Sequence, residues 1–411
     1  MRQLRPWHIV LFIWITLGVL FTLGKLDDLG TLDNLGSLGS LDRLESPASL
    51  DTLDTFVPIT SAQPMKIGHN APLDRFFFAL KTASTDPVRV VHFGDSQIEQ
   101  DRISMTLRRY WQRQYGGSGL GLIPIMQTVP TYTLNQTLTM AGKPVLFTGG
   151  PQRYFVYGLR SLRREGNNRY GIMGQVTVMN DSLVAGSEQL RLTFKNRYAQ
   201  DKEHTLIRLW ADSTITMNVE DLHTISLSGK GDVYGLSLES KTGVHVDNIP
   251  MRGSAGTMFT NINKELLTDY FAKTNTKLII MQYGGNALPN ITNHSQVTET
   301  VNILARQVRY LQSCAPEADI LFIGPSDMLI NDHGEIRSDP LVPYMDIQLE
   351  RMSVREEIAY FSTYRAMGGE NAMLRWQEQG LAGEDGIHFT KRGADRIAEE
   401  IINYIEKLDQ L

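Results

Sequence analysis

An apolar run, Val88-Arg-Val-Val-His-Phe93, leads straight into Gly94-Asp95-Ser96, and a helical pattern follows. This predicts a serine hydroxyl at the carboxyl end of a strand and the amino end of a helix, where open α/β sheets place their ligand chemistry. Free N–H groups and a partial positive charge at a helix start suit an oxyanion forming beside Ser96. A serine nucleophile needs a base, and the base needs an acceptor to orient it. Asp385-Gly-Ile-His388 supplies both on one loop. Asp385 would hold one imidazole nitrogen while the other takes the Ser96 proton. Glu384 is the alternative orienting group; the three-residue spacing favours Asp385.

Two further segments end where an oxyanion would need donors. Leu278-Ile-Ile-Met-Gln-Tyr283 reads as a buried strand that runs into Gly284-Gly285-Asn286. A carboxamide at a strand end can donate to an oxyanion. Val246-Asp-Asn-Ile-Pro-Met-Arg252 is another strand, entering a loop with Gly253 and Gly256. A glycine lets a backbone N–H approach a reacting oxygen with no side chain in the way. Gly253 and Gly256 are both candidates for this role.

In this order the four blocks resemble the SGNH (GDSL) hydrolase superfamily, over roughly residues 70–125 and 243–408. The resemblance implies nucleophile Ser96, oxyanion donors Gly256 and Asn286, base His388 and orienting Asp385. The chain reads Gly-Asp-Ser-Gln97 where many members have leucine last, and Ala287 where many have an acidic residue. No Gly-x-Ser-x-Gly elbow, P-loop lysine motif or His-Glu-x-x-His zinc motif occurs.

The elements that must hold these residues alternate strand and helix. Leu73 to Leu80 predicts a short helix before the first strand. Ile98, Ile103, Leu107, Tyr110 and Trp111 predict a helix directly after Ser96. Strands follow at Leu278–Gln282, Ile320–Ile323 and Ile358–Phe361, a helix lies at Val297–Gln312, and an amphipathic helix runs from Lys391 to Leu408. Such alternation implies an α/β fold with a doubly wound parallel sheet, flavodoxin-like in the resembled superfamily.

Between the first and second blocks, residues 127–241 exceed what a crossover needs. Alternating runs at Gln189–Phe194, Thr205–Trp210, Thr214–Val219, Thr224–Ser228 and Val233–Glu239 predict an inserted antiparallel β-sandwich. Residues 57–126 and 242–411 then form the catalytic domain in two parts. An insertion here resembles the peptidoglycan O-acetylesterases and acetyltransferases, whose insertion is carbohydrate-binding-module-like. The Gly-rich run from Tyr115 to Pro124 also resembles that subgroup and reads as an active-site wall. Tyr154, Tyr157, Tyr170, Trp210 and Tyr234 are candidates to stack on a pyranose, against the commoner role of aromatics in a core. Arg160, Arg163 and Arg164 read as a solvated charged face.

Residues 1–25 carry Arg2 and Arg5 before an apolar run from Trp7 to Leu23, at the lower limit of a bilayer span. Charge asymmetry places the amino end in the cytoplasm and the rest outside. An uncleaved anchor is favoured over a cleaved signal peptide, because Thr22-Leu-Gly24 is a poor cleavage site. Residues 26–56 repeat leucine every third position from Leu26 to Leu44, a period that fits neither helix nor strand, and read as a tether.

Composition excludes several classes. At 411 residues, 42% hydrophobic, the chain can bury one large or two medium cores, and its formal charge of -5 argues against nucleic acid. The single cysteine, Cys314, precludes an intramolecular disulfide and reads as an apolar filler. His92 sits within the first strand, and His204, His223 and His245 lack ligand spacing, so neither metal nor cofactor is expected. The leading expectation is an exported, membrane-tethered serine esterase that removes O-acetyl groups from a cell-envelope glycan, with peptidoglycan as the suggested polymer. The alternatives are an O-acetyltransferase fed by a membrane acetyl-donor protein and an inactive glycan-binding surface protein. A lipase is disfavoured, since no apolar lid stands out.

Overall fold

The computed structural model describes residues 72–123, 131–133, 237–262 and 264–410, together with the backbone of the strands between Leu134 and Leu236. The expected membrane segment and leucine tract lie outside these residues. So do His204, His223 and the side chains of the five candidate sugar-stacking aromatics and the three arginines.

In chain order, helix α1 (Asp74–Leu80) precedes strand β1 (Val88–Gly94), a tight turn (Ser96–Asp101), α2 (Ser104–Tyr115) and β2 (Gly121–Ile123). Then come β3 (Leu134–Thr139), β4 (Leu159–Arg164), β5 (Asn167–Ile172), β6 (Leu190–Asn196), β7 (Leu206–Ala211), β8 (Ile215–Asp221), β9 (Thr224–Gly229) and β10 (Val233–Glu239). The chain returns through β11 (Val244–Pro250), α3 (Lys264–Lys273), β12 (Thr276–Gln282), α4 (His294–Cys314) and β13 (Asp319–Ile323). A hairpin of β14 (Leu329–Asp332) and β15 (Glu335–Ser338) leads to α5 (Val342–Arg355), β16 (Ala359–Phe361), α6 (Thr363–Met367), α7 (Ala372–Glu378) and α8 (Lys391–Asp409).

Five strands form one parallel sheet in the order β11-β1-β12-β13-β16. Counted along the chain, that is 2-1-3-4-5, the flavodoxin-like winding. Parallel strands are covered on both faces, so their sequences stay apolar throughout and their side chains divide by alternation. Val91, Phe93, Ile279, Met281, Ile320 and Phe322 face a core shared with α4 and α5. Val88, Val90, Leu278, Ile280, Leu321 and Ile323 face the other core, with α1, α2 and α8. On α8, Ile397, Ile401, Ile405 and Leu408 are all buried, as their spacing requires. The winding reverses at β1, so the crevice outside the carboxyl ends of β1 and β12 is where such a sheet binds ligands.

The inserted strands pair antiparallel in separate sheets, β3-β6-β9-β8, β4-β5 and β10-β7, the last extended by β2 from just ahead of the insertion. The five strands expected from alternation all occur, within two residues of their expected ends. β3, β4 and β5 are additional. Asn167–Ile172 shows why, since its polar residues carry no period-2 apolar signal.

One expectation needs correction. The helix placed directly after Ser96 begins instead at Ser104. Residues 96–101 form a kinked 3-10 turn in which Glu99 is extended and Gln100 is left-handed at φ 63. Asp101 is also left-handed at φ 63. This break delivers the Asp101 carboxylate to Arg108 at 2.6 and 3.1 Å. Four of the five apolar residues are nonetheless buried, because Ile98 and Ile103 enter the core from the turn while Leu107 and Trp111 enter it from α2; Tyr110 is partly buried against that core. The dipole of a long helix therefore does not start at Ser96.

A buried ion network joins the insertion to the sheet. The Arg89 guanidinium donates to Asp247 Oδ1 at 2.6 Å and to Glu239 at the end of β10. Asp247 also accepts from Leu122 N at 2.8 Å and from the Tyr270 hydroxyl at 2.5 Å. Burial opposes charge on Arg89, but the two carboxylates outweigh it and hold its pKa above the ordinary arginine value. Breaking a buried pair strands its partners, which typically costs about 3–5 kcal/mol. Arg89→Met is accordingly expected to lower stability by about that amount, read from denaturant unfolding.

Candidate active site

The carboxyl ends of β1 and β12 bring distant residues together. Ser96 follows β1, and its hydroxyl lies 2.7 Å from His388 Nε2. His388 Nδ1 lies 2.7 Å from Asp385 Oδ2. Because a carboxylate only accepts, Nδ1 carries the proton, and Nε2 is the acceptor for the Ser96 hydroxyl. Glu384, the competing orienting group, is exposed beside this contact, and it is Asp385 that meets the imidazole.

The base loop is built from its own residues. Asp385 Oδ1 accepts from the backbone N of Ile387 at 3.0 Å and of His388 at 2.9 Å. Gly386, at φ 69, closes the turn, and its carbonyl accepts from Leu329 N at the start of β14. Thr390 then caps α8 by accepting from Gly393 N. The His388 hydrogen bond holds the Asp385 carboxyl well below the usual carboxylate range, so it stays ionised wherever the protein is folded near neutrality.

Asn286 sits in the turn after β12, beyond Gly284 at φ 124. Its Nδ2 donates to Asp95 Oδ2 at 2.9 Å and to Ser254 O at 3.2 Å. The N–H of Gly256 donates to Ser254 Oγ at 3.0 Å. Ser254 thus gathers the two expected oxyanion donors beside Asp95, the neighbour of Ser96. Of the two glycines, Gly256 is the enclosed one. A Cβ there would fall 2.6 Å from Tyr283 Cγ, whereas one at Gly253 would meet open space.

Asp95 is buried, with Oδ1 accepting from Gln97 N at 2.9 Å and Oδ2 from Asn286. Burial pushes its carboxyl up to about 6, outweighing those hydrogen bonds and the nearby His388. His92, expected to pack in the sheet, is fully buried between Ser104 and Gln282, and burial pushes it down to about 3. Among the described residues, no three His, Cys, Asp or Glu side chains converge as a metal site, and no helix is long and apolar enough to cross a membrane.

The sequence motifs did not single out Asp95 or Ser254 as site groups. Asp95 was legible as part of Gly-Asp-Ser. Ser254 acts through backbone hydrogen bonds that no motif encodes.

Two measurements test this geometry. Gly256→Ala carries the left-handed strain and the overlap with Tyr283, for an expected loss of about 1–3 kcal/mol. Gly253→Ala carries the strain alone, about 1 kcal/mol, and thermal unfolding separates the two. The raised Asp95 pKa gives stability that is complete below the ordinary carboxylate range and is lost as pH rises through about 6. Against Asp95→Asn, the wild-type chain should therefore lose about 2 kcal/mol of relative stability between pH 4 and 7. Urea unfolding at a series of pH values reads that difference.

No protein-family profile matches the sequence, and no curated protein matches it. Among solved structures, a peptidoglycan O-acetylesterase superposes with a TM-score of 0.62 at 19% identity, over 82% of this chain and 96% of its own. A carbohydrate acetylesterase from Sinorhizobium meliloti aligns over 40% of this chain and 79% of its own, at 14% identity and a TM-score of 0.29. The periplasmic domain of a lipopolysaccharide acetyltransferase from Salmonella ser. Paratyphi A aligns over 40% and 73%, at 15% identity and a TM-score of 0.30. The fold is the SGNH-hydrolase fold, a parallel α/β sheet accompanied by separate antiparallel sheets.

Proposed function

We propose that this chain is a serine esterase that removes O-acetyl groups from a cell-envelope polysaccharide, with peptidoglycan as the polymer. The observation that carries the reading is the unbroken hydrogen-bond chain from Ser96 through His388 to Asp385. Its support is the fold shared along nearly the whole length of a solved peptidoglycan O-acetylesterase. The inserted strands, residues 127–241 in this reading, serve as a glycan-binding module, and residues 1–25 tether the exported chain to a membrane.

The chemistry follows from the site. Ser96 Oγ attacks the acetyl carbonyl carbon as its proton passes to His388 Nε2. The carbonyl oxygen becomes an oxyanion, taken up by Ser96 N–H, Gly256 N–H and Asn286 Nδ2. The first of the three lies at the start of a turn, and the other two exchange partners within the Ser254 and Asp95 cluster. The tetrahedral species collapses, the sugar oxygen leaves with the proton from Nε2, and acetyl-Ser96 remains. Water then gives a proton to Nε2 and attacks the acyl carbon, and acetate departs as Ser96 regains its proton. Asp385 stays ionised throughout and stabilises the imidazolium. No cofactor enters this scheme.

An acceptor sugar in place of that water turns the same acyl-enzyme into an acetyltransferase, with a membrane protein as acetyl donor. The experiment is acetate release from O-acetylated peptidoglycan, with Ser96→Ala alongside. The esterase reading requires release that the variant abolishes, and Asn286→Ala should lower the rate by about 10²–10³. Ser96-dependent transfer from a synthetic acetyl ester to a glycan, without release, would favour the transferase. Binding to the glycan without Ser96-dependent chemistry in either assay would leave the inactive binding protein.

A further inference from the structure

Asp385 orients the His388 ring, but it belongs to the same loop, three residues away. It moves with the loop and cannot fix the loop against Ser96. The Leu329 N to Gly386 O bond ties the loop to β14, which leaves its placement against Ser96 to contacts from the nucleophile's own segment. The need is greatest in the acyl-enzyme of the proposed reaction. There Ser96 Oγ is esterified, has no proton to donate, and no longer tethers Nε2.

Gln97, the residue after Ser96, is buried and reaches across to that loop. Its Nε2 donates to the carbonyl of Ile387 at 2.6 Å, and its Oε1 accepts from the backbone N of Phe389 at 3.4 Å. Those two groups flank His388. Nε2 also lies 3.4 Å from Ser326 Oγ, on the loop beyond β13. A second tie runs parallel, since Arg102 Nη1 donates to the carbonyl of Phe389 at 3.0 Å while its Nε holds Glu99 O. Arg102 grips only one side of the histidine; Gln97 grips both.

We infer that Gln97 is a positioning residue for His388: one carboxamide clamps the main chain on both sides of the base and keeps Nε2 aimed at the Ser96 ester while water attacks. Leucine, which the resembled superfamily often carries here, fills the same space with neither a donor nor an acceptor. The chain therefore holds its base by a polar clamp that a leucine cannot form. Arg102 remains in place when Gln97 is replaced, so the loop is loosened rather than released. A shift of about 1 Å in a reacting group can cost about 10²-fold in rate.

The inference rests on Ser96 as nucleophile and His388 as base, and the test separates the two ideas. The full chain and its Gln97→Met, Gln97→Leu and Gln97→Glu variants are labelled to completion with a sulfonyl fluoride, and labelled Ser96 is counted by mass spectrometry. Turnover of p-nitrophenyl acetate is then expressed per labelled site, so misfolded molecules drop out. Gln97→Glu preserves size but puts a carboxylate oxygen against the Ile387 carbonyl. All three variants should label Ser96, while steady-state turnover per site falls by about 10- to 100-fold and at least as far as any acylation burst. Turnover per site at the wild-type level, or a loss appearing only as fewer labelled sites, overturns the positioning role. Wild-type protein that is not labelled at Ser96 overturns the nucleophile reading itself, and the clamp with it.

Discussion

A hydrogen bond of 2.7 Å joins two residues 292 positions apart, Ser96 and His388. Proton transfer tolerates little error in that distance, so both ends must be fixed by structure that does not depend on the bond itself. The serine end is fixed by β1, which lies between two parallel neighbours and is buried along its length. The histidine end hangs on a loop ahead of α8, whose apolar stripe docks into the same core that receives α2. Thr106 on α2 donates to Asp395 on α8 at 2.6 Å, and Gln97 and Arg102 reach the loop directly. The triad is thus the visible end of a connection that runs through the core beneath it.

Topology explains why the proposed oxyanion donors join this pair. With the winding 2-1-3-4-5, the chain leaves β1 for one side and returns on the other, opening a crevice above β1 and β12. β11 ends beside β1 and releases the loop of Ser254 and Gly256, and β12 releases Asn286. Three strand ends therefore deliver three kinds of group to one place. Gly256 is needed there for two reasons at once: its φ of +79 is left-handed, and its missing Cβ would occupy the Tyr283 ring.

Much of this was legible in the sequence because the signals were local. Val88–Gly94 and Leu278–Gln282 are apolar runs too short for helices, and Lys391–Leu408 repeats its isoleucines at helical spacing. Asp385 and His388 share one loop, so their spacing, read together with the other blocks, points to their contact. The failures are equally physical. Ile98, Ile103, Leu107 and Trp111 fit a helix, and they are buried, yet the backbone breaks between them at Glu99 to Asp101. Periodicity records which residues face the core and is blind to such a left-handed break. β4 and β5 pair with each other through backbone groups, and their polar sequences carry no alternation. Gln97 contributes through bonds to distant main chain, and Ser254 through its own carbonyl, which meets the distant Asn286 side chain, so both depend on the completed fold.

Two carboxylates near His388 are pushed in opposite directions, and the contrast explains how one site holds both. Asp385 is half exposed and accepts from the imidazole and two backbone N–H groups, so its charge is well satisfied. Asp95 is buried and accepts from one backbone N–H and one carboxamide, which do not repay the loss of water. The first can therefore serve as a permanent negative charge behind the base. The second charges only where the pH exceeds about 6, and it is the group that orients Asn286. Once ionised, Asp95 can only accept, which fixes the Asn286 carboxamide with its NH₂ turned toward Asp95 and Ser254. Moderate acid thus discharges the carboxylate that holds the Asn286 carboxamide while leaving Asp385 ionised.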